Sequence, residues 1–194
     1  MIAATNNKGK LKEIKEILSD YDIYSLKEKN IDIDVVEDAD TFYGNALKKA
    51  KEIYNLTKEP VIADDSGICI TELNDFPGVE THRFLGTTAT DEDRNLAIIK
   101  KANDTKTRKA KVICILVYYD GNKTIVGEGM LEGKIVTEPR GENGFGFDPI
   151  FELKTGKTLA ELTSEEKNKL SARYLATLDL KEKLLAINDV NPKR

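Results

Sequence analysis

The sequence predicts an α/β domain, on two observations. Strand-like and helix-like patterns alternate along the chain, which is the signature of that class. The chain is also long and apolar enough for one packed core: 194 residues, 40% hydrophobic and 33% charged, exclude a disordered, disulfide-stapled or fibrous protein. Thirty Lys and Arg against thirty-four Asp and Glu give a net charge of −4, which argues against bulk nucleic-acid binding and leaves room for a small anionic ligand. No apolar run is long enough to span a bilayer, and the polar Thr5-Asn6-Asn7-Lys8 comes too early for a signal peptide. A soluble cytoplasmic protein with no membrane partner is expected. Cys69 and Cys114 sit in apolar runs and read as reduced core thiols.

Residues 2–5 read as a first strand. A helix follows from Gly9-Lys10, with Leu11, Ile14, Ile17 and Leu18 as its apolar stripe. Residues 23–26 suggest a second strand. Residues 41–56 form an amphipathic helix, with Phe42, Ala46, Ala50, Ile53 and Tyr54 on or near one face. After Pro60 comes the strand Val61-Ile62-Ala63, expected to stop at Asp64-Asp65-Ser66-Gly67 before a further apolar run, 68–73. Thr90 is placed to cap a helix reaching about Lys101, with Asp91, Glu92 and Asp93 favourable to its dipole. Residues 111–119 read as a strand that turns at Asp120-Gly121 and returns over 124–129, with another strand over 130–137. Residues 141–149 interleave glycine with phenylalanine, and the C-terminal third reads as helix over about 159–187. No repeat, low-complexity tract or linker divides the sequence, so residues 1–194 are expected to form a single domain.

Several segments could carry chemistry. Thr5-Asn6-Asn7-Lys8-Gly9-Lys10 lies between a strand and a helix start, where unpaired backbone N–H groups and Lys10 could meet an anion; an ordinary glycine-containing turn reads as well. It is not a Walker A loop, since the second glycine and the Lys-Ser/Thr pair are missing. Asp64 and Asp65 at a strand end are costly to desolvate unless a cation or several donors meet them. Mg²⁺ is the natural cation, and strand alternation points at most one of the two at it; a turn with one Asp capping backbone N–H groups is the alternative. The run Asp32, Asp34, Glu37, Asp38, Asp40 could supply a further ligand, although most of it reads as a solvated loop. Glycines around Phe145 and Phe147 let backbone approach a ligand and offer a ring for a base, or form a structural bulge. On one unbroken helix Lys167 and Arg173 would lie roughly 240° apart, so a break near Ser171 is needed for them to share a ligand.

Taken in order, these segments resemble the inosine triphosphate pyrophosphatase family, the RdgB-like enzymes for non-canonical purine nucleotides. The likeness rests on Ala4-Thr5-Asn6-Asn7-Lys8-Gly9-Lys10 followed by Glu13, and on Glu37 four residues before Thr41-Phe42-Tyr43-Gly44-Asn45-Ala46, with Lys49 just beyond. It continues through Ala63-Asp64-Asp65-Ser66-Gly67, Gly144-Phe145-Gly146-Phe147-Asp148-Pro149 and Ala160-Glu161-Leu162-Thr163 with Glu165-Glu166-Lys167, covering nearly the whole chain.

The resemblance implies an elongated mixed, twisted β-sheet flanked by helices, two lobes with a nucleotide cleft between them, and a homodimer. It implies Mg²⁺-dependent cleavage of ITP, dITP and XTP to the monophosphate and pyrophosphate. By position, Asp65 is the catalytic carboxylate and shares the metal with Glu37, supported by Asp64. Thr5, Asn6, Asn7, Lys8, Gly9, Lys10 and Lys49 hold the triphosphate. Ser66, Phe145, Gly146, Phe147, Asp148, Lys167, Ala172 and Arg173 surround the nucleoside. Donor-only Lys and Arg side chains suit a purine 6-oxo group and reject the adenine amine. The chain departs from the family pattern at Asn6 for Gly, Phe147 for Tyr, and Ala172 for the His of Ser-His-Arg. The sequence's one histidine, His82 in Pro77-Gly78-Val79-Glu80-Thr81-His82-Arg83, stands where the family commonly has Ala, and could supply the missing base contact. The rival readings are a Maf-like pyrophosphatase, separated by dUTP against dITP turnover, and a nucleotide-binding module that releases no pyrophosphate.

Overall fold

Strands and helices alternate in the computed structural model, which describes residues 1–187. In chain order the elements are β1 (Ile2–Ala3), α1 (Lys8–Ile17), β2 (Tyr24–Ser25), α2 (Phe42–Thr57), β3 (Val61–Ile70), β4 (Phe76–Pro77), α3 (Asp91–Ala102), β5 (Lys109–Tyr119), β6 (Thr124–Ile135), β7 (Phe151–Glu152), α4 (Ser164–Lys167) and α5 (Ala172–Ala186). The strands form one seven-stranded sheet in the order β2-β1-β3-β5-β6-β7, with β4 also on β3. It is mixed: β1 runs parallel to β2 and β3, with Ile2 opposite Tyr24 and Val61, while β4 on β3 and β7 on β6 are antiparallel.

The contacts divide into two compact units. Residues 1–65, 114–129 and 172–187 form one; residues 66–113 and 130–171 form the other. Strands β3, β5 and β6 each contribute residues to both. In the first unit Ile2, Ala4, Val61, Ala63 and Val117 pack against Ala46, Ala50 and Ile53, the apolar face of α2. In the second, Ile68, Ile70, Ile98, Ile135, Ile150 and Phe151 are fully buried. Among the described residues no helix is long and apolar enough to cross a membrane.

Helix starts follow local chemistry. Asn7 caps α1, Thr41 caps α2 by accepting from the Gly44 N–H at 2.9 Å, and Thr90 with Asp93 forms a capping box on α3.

Three sequence expectations are corrected. β3 does not stop at Asp64 but continues through Asp65, Ser66 and Gly67 to Ile70, buried along its whole length. The turn preference of Asp-Ser-Gly is overridden because the carboxylates find partners inside the protein. The two strands expected over 124–129 and 130–137 are the single strand β6, with no break at Met130. The helix expected over 159–187 is interrupted: a 3₁₀ turn at Leu159–Glu161, then α4, then α5. Two capping boxes, Thr158 with Glu161 and Thr163 with Glu166, begin the 3₁₀ turn and α4.

The packing of α5 on β6 in the first unit depends on glycine. A Cβ on Gly129 would lie 2.0 Å from the Ala172 carbonyl oxygen, and one on Gly127 would lie 2.2 Å from that of Ala176. Both obstacles are backbone and cannot rotate away. Gly129→Val is expected to destabilise the protein by about 3 kcal/mol through overpacking. A chemical-denaturation midpoint equal to the parent's would show that α5 can lift off β6 at little cost.

Candidate active site

β3 presents two buried carboxylates at adjacent positions, and strand alternation sends them to different partners. Asp64 Oδ2 faces cations. Lys10 Nζ lies 3.0 Å away, and two guanidinium nitrogens of Arg173 lie at 3.4 Å. Arg173 is itself buried and also donates to Glu13 at 2.9 Å. Burial alone would push the Asp64 pKa up, but Lys10, Arg173 and Lys49 outweigh it and hold the carboxyl well below the usual carboxylate range.

Asp65 has the opposite environment. Its Oδ2 accepts from Asn45 Nδ2 at 2.9 Å, and Asn45 in turn accepts from the Ala39 N–H at 2.9 Å. Burial first, and then repulsion from Glu37, push its pKa up to about 6, against the opposing pull of Asn45 and Lys49.

The acidic segment reaches this site through a period of two. Over residues 31–40, Ile31, Ile33, Val35, Glu37 and Ala39 are half-buried, while Asp32, Asp34, Asp38 and Asp40 are exposed. Ile31, Ile33 and Val35 pack on the core of the first unit, and Glu37 takes the next inward place in that row. Lys49, projecting from α2, lies 2.5 Å from Glu37 Oε1 and donates to the Asp64 carbonyl oxygen. Burial would lower the Lys49 pKa, but the charges of Asp64 and Glu37 hold it above its ordinary value.

The first loop differs from expectation. The Gly9 and Lys10 N–H groups are not open to an anion; both are taken by Asn7 Oδ1, at 2.9 and 3.1 Å, and the Asn7 N–H donates to Thr5 Oγ1. Asn6 and Lys8 are exposed, and Thr5 is half-buried. Ser66 is buried on β3, and Ala172 is buried at the first position of α5.

The second unit gathers the expected nucleoside residues of the glycine-rich loop. Asp148 Oδ2 accepts from the Phe145 N–H at 2.8 Å and from Lys167 Nζ at 2.7 Å. The Lys167 ammonium also stands 4.2 Å from the centre of the Phe145 ring. Gly144 makes this clamp possible, since its φ is +77° and a Cβ there would lie 2.0 Å from Asp148 Oδ2. Asn95 Nδ2 holds the Gly146 carbonyl at 2.9 Å. The exposed His82 ring stacks on Phe147, with centroids 6.3 Å apart and planes at 24°. With α4 ending at Lys167 and α5 beginning at Ala172, Lys167 and Arg173 do not share a helix.

Three residues outside the expected site set hold these arrangements in place: Asn45, Glu13 and Asn95. Each was visible as a polar residue on or beside the apolar face of a helix, the signal of a buried group with a partner.

The donor set suits a hard divalent cation. Among the described residues no group of three acidic, imidazole or thiol side chains forms a closed metal cage. Glu37 and Asp65 are nonetheless close enough for mutual repulsion to raise Asp65, and Mg²⁺ characteristically takes one or two carboxylates together with substrate phosphates. That repulsion predicts a stability effect. A carboxyl whose pKa is raised by folding loses stability as pH rises from the ordinary carboxylate range through about 6. Without divalent metal, Asp65→Asn should therefore unfold at a higher temperature than the parent at pH 8, and the gain should shrink below pH 6 and be nearly gone at about pH 3.5. Thermal melts in EDTA at the two pH values check this; an equal gain at both would remove the repulsion from the account.

Known proteins match this chain along nearly its full length. The model of the Ham1 family matches residues 1–183. The dITP/XTP pyrophosphatase of Caldanaerobacter subterraneus subsp. tengcongensis is 43% identical over 191 residues, covering 95% of this chain and 96% of that protein. The dITP/XTP pyrophosphatase of Bacillus subtilis is likewise 43% identical over 191 residues, with 95% and 96% covered. The solved structure of a HAM1 protein from Coxiella burnetii superposes with a TM-score of 0.87 at 36% identity, covering 95% of this chain and 98% of that one. With the family model, the relatives and the fold in agreement, the chain belongs to the Ham1 family.

Proposed function

We propose that the protein is a Mg²⁺-dependent nucleoside-triphosphate pyrophosphatase that converts dITP, ITP and XTP to the monophosphate and pyrophosphate. The relatives named dITP/XTP pyrophosphatase support the substrate class. The observation that carries the chemistry is Asp65: buried, held by Asn45, and pushed up to about 6 beside Glu37. Ionised at neutral pH, the Asp65 carboxylate can accept from a water and orient it for attack on the α-phosphorus. Glu37 and Asp65 would hold the metal, which supplies charge neutralisation on the phosphate oxygens.

Lys10 and Lys49 add positive charge for the departing pyrophosphate, with Thr5 to Gly9 as the loop beside it. Asp64 acts through others: by holding Lys10 and Arg173 it fixes two cations that would otherwise wander. Lys167, held by Asp148 beside the Phe145 ring, is the donor offered to a 6-oxo group, while Arg173 is held by Glu13 and Asp64. Phe145 offers its ring to the base. A cytoplasmic homodimer acting on the nucleotide pool remains part of this reading.

A panel of dITP, XTP, dGTP, dATP and dUTP with pyrophosphate detection tests the proposal. Release is expected from dITP and XTP, abolished by EDTA, and lowered on the order of a hundredfold or more in kcat by Asp65→Asn. Equal turnover of dATP, or near-normal turnover by the Asp65→Asn protein, would sink it.

Guanine shares the 6-oxo group, so its rejection needs a contact near position 2 of the ring. His82, stacked on Phe147, is proposed for that role. His82→Ala is expected to keep dITP turnover while raising dGTP turnover severalfold; an unchanged dITP-to-dGTP ratio would make His82 a bystander.

A further inference from the structure

We propose that Lys49 acts as a resident cation on the acidic site, so that divalent metal and triphosphate bind as a coupled pair rather than independently. The inference rests on the reading of Glu37 and Asp65 as the carboxylates that hold the metal. Its basis is the position of one ammonium group. Lys49 Nζ lies 2.5 Å from Glu37 Oε1 and also donates to the Asp64 carbonyl oxygen, with only 13% of the lysine side chain and 27% of the glutamate exposed. The neighbouring Lys48 takes the exposed Asp38 instead, at 2.7 Å. The two adjacent lysines therefore divide the acidic segment, and the inward one takes the inward carboxylate.

Without ligand, this pair solves a local problem. Glu37 and Asp65 repel each other in a buried setting, and the Lys49 charge offsets that repulsion. The same contact is an obstacle to a divalent ion. An ammonium and a metal ion cannot both sit at contact distance from one carboxylate without strong mutual repulsion. A triphosphate changes the balance, because it offers Lys49 a partner with several negative charges and multiple acceptor oxygens. When Lys49 turns to phosphate, Glu37 is freed. Binding of the nucleotide then favours the metal, and by linkage the metal favours the nucleotide by the same factor. The predicted consequence is weak metal binding to the free protein and little tendency to hold a stray ion between turnovers.

Two binding measurements test this without relying on turnover. Titration of Mn²⁺ followed by electron paramagnetic resonance, with no nucleotide present, should show Lys49→Met binding the ion about fivefold or more tightly than the wild type. The reciprocal arm measures dITP binding calorimetrically in EDTA. Glu37→Gln, which leaves Lys49 without its carboxylate, should bind metal-free dITP about fivefold or more tightly, while Asp38→Asn, removing an exposed charge from the same segment, should not. Equal Mn²⁺ affinity in the wild type and a folded Lys49→Met protein overturns the proposal. If Lys49→Met does not fold, the second arm decides alone: Glu37→Gln indistinguishable from Asp38→Asn overturns it as well. Both readouts are of binding, so they stand apart from whatever the substrate panel gives for pyrophosphate release.

Discussion

The structure turns on the cost of placing two carboxylates in the middle of a wholly buried strand. Asp64 and Asp65 are each about 2% exposed, and neither can be left without partners there. Much of the first unit answers that requirement. α1 supplies Lys10 and Glu13, α2 supplies Asn45 and Lys49, and α5 supplies Arg173. Helices distant in sequence are tied to one strand by charge as well as by apolar packing.

The two aspartates use their partners differently, and this is where structure becomes chemistry. Asp64 is held as a permanent anion by cations, which makes it a fixed post for Lys10 and Arg173. Asp65 accepts from the neutral Asn45 amide and faces the acidic Glu37, and with burial this holds its carboxyl above the ordinary carboxylate value. Adjacent positions on one strand acquire opposite acidities because successive side chains leave on opposite faces. In the second unit Asp148 plays a third part, joining the backbone of the glycine-rich loop to Lys167 beneath the Phe145 ring.

Much of this was legible in the sequence. The apolar stripes of α1 and α2 and the Thr90 cap of α3 are read directly, and the ordered motifs mark Glu37, Lys49, Asp65 and Lys167. The expected stop of β3 at Asp64 is wrong because Asp-Asp-Ser-Gly has strong local turn preferences, and only tertiary partners show why the strand continues. The broken C-terminal helix could have been read, since Thr158 and Thr163 each stand three residues before a glutamate, the pattern of a capping box. The choice of Glu37 among five acids was also present, in the alternation from Ile31 to Ala39, but composition drew attention to charge rather than to phase. What no local pattern could reveal is the company of Arg173: its two carboxylate partners come from α1 and β3, far away along the chain.

The strand-like segment before α2 is held by Asn45, Lys48 and Lys49 of that helix, and its phase decides which side chains face them. Ile31, Ile33 and Val35 act as successive pegs, and Glu37 is delivered inward only because it is in step with them. A single-codon deletion between Val35 and Glu37 would preserve the composition and nearly all the charge, yet it would exchange the two rows, turning Asp38 toward the interior and Glu37 toward water. Spacing there constrains the site more tightly than charge, because the count of residues from the last peg to the glutamate decides which carboxylate faces inward.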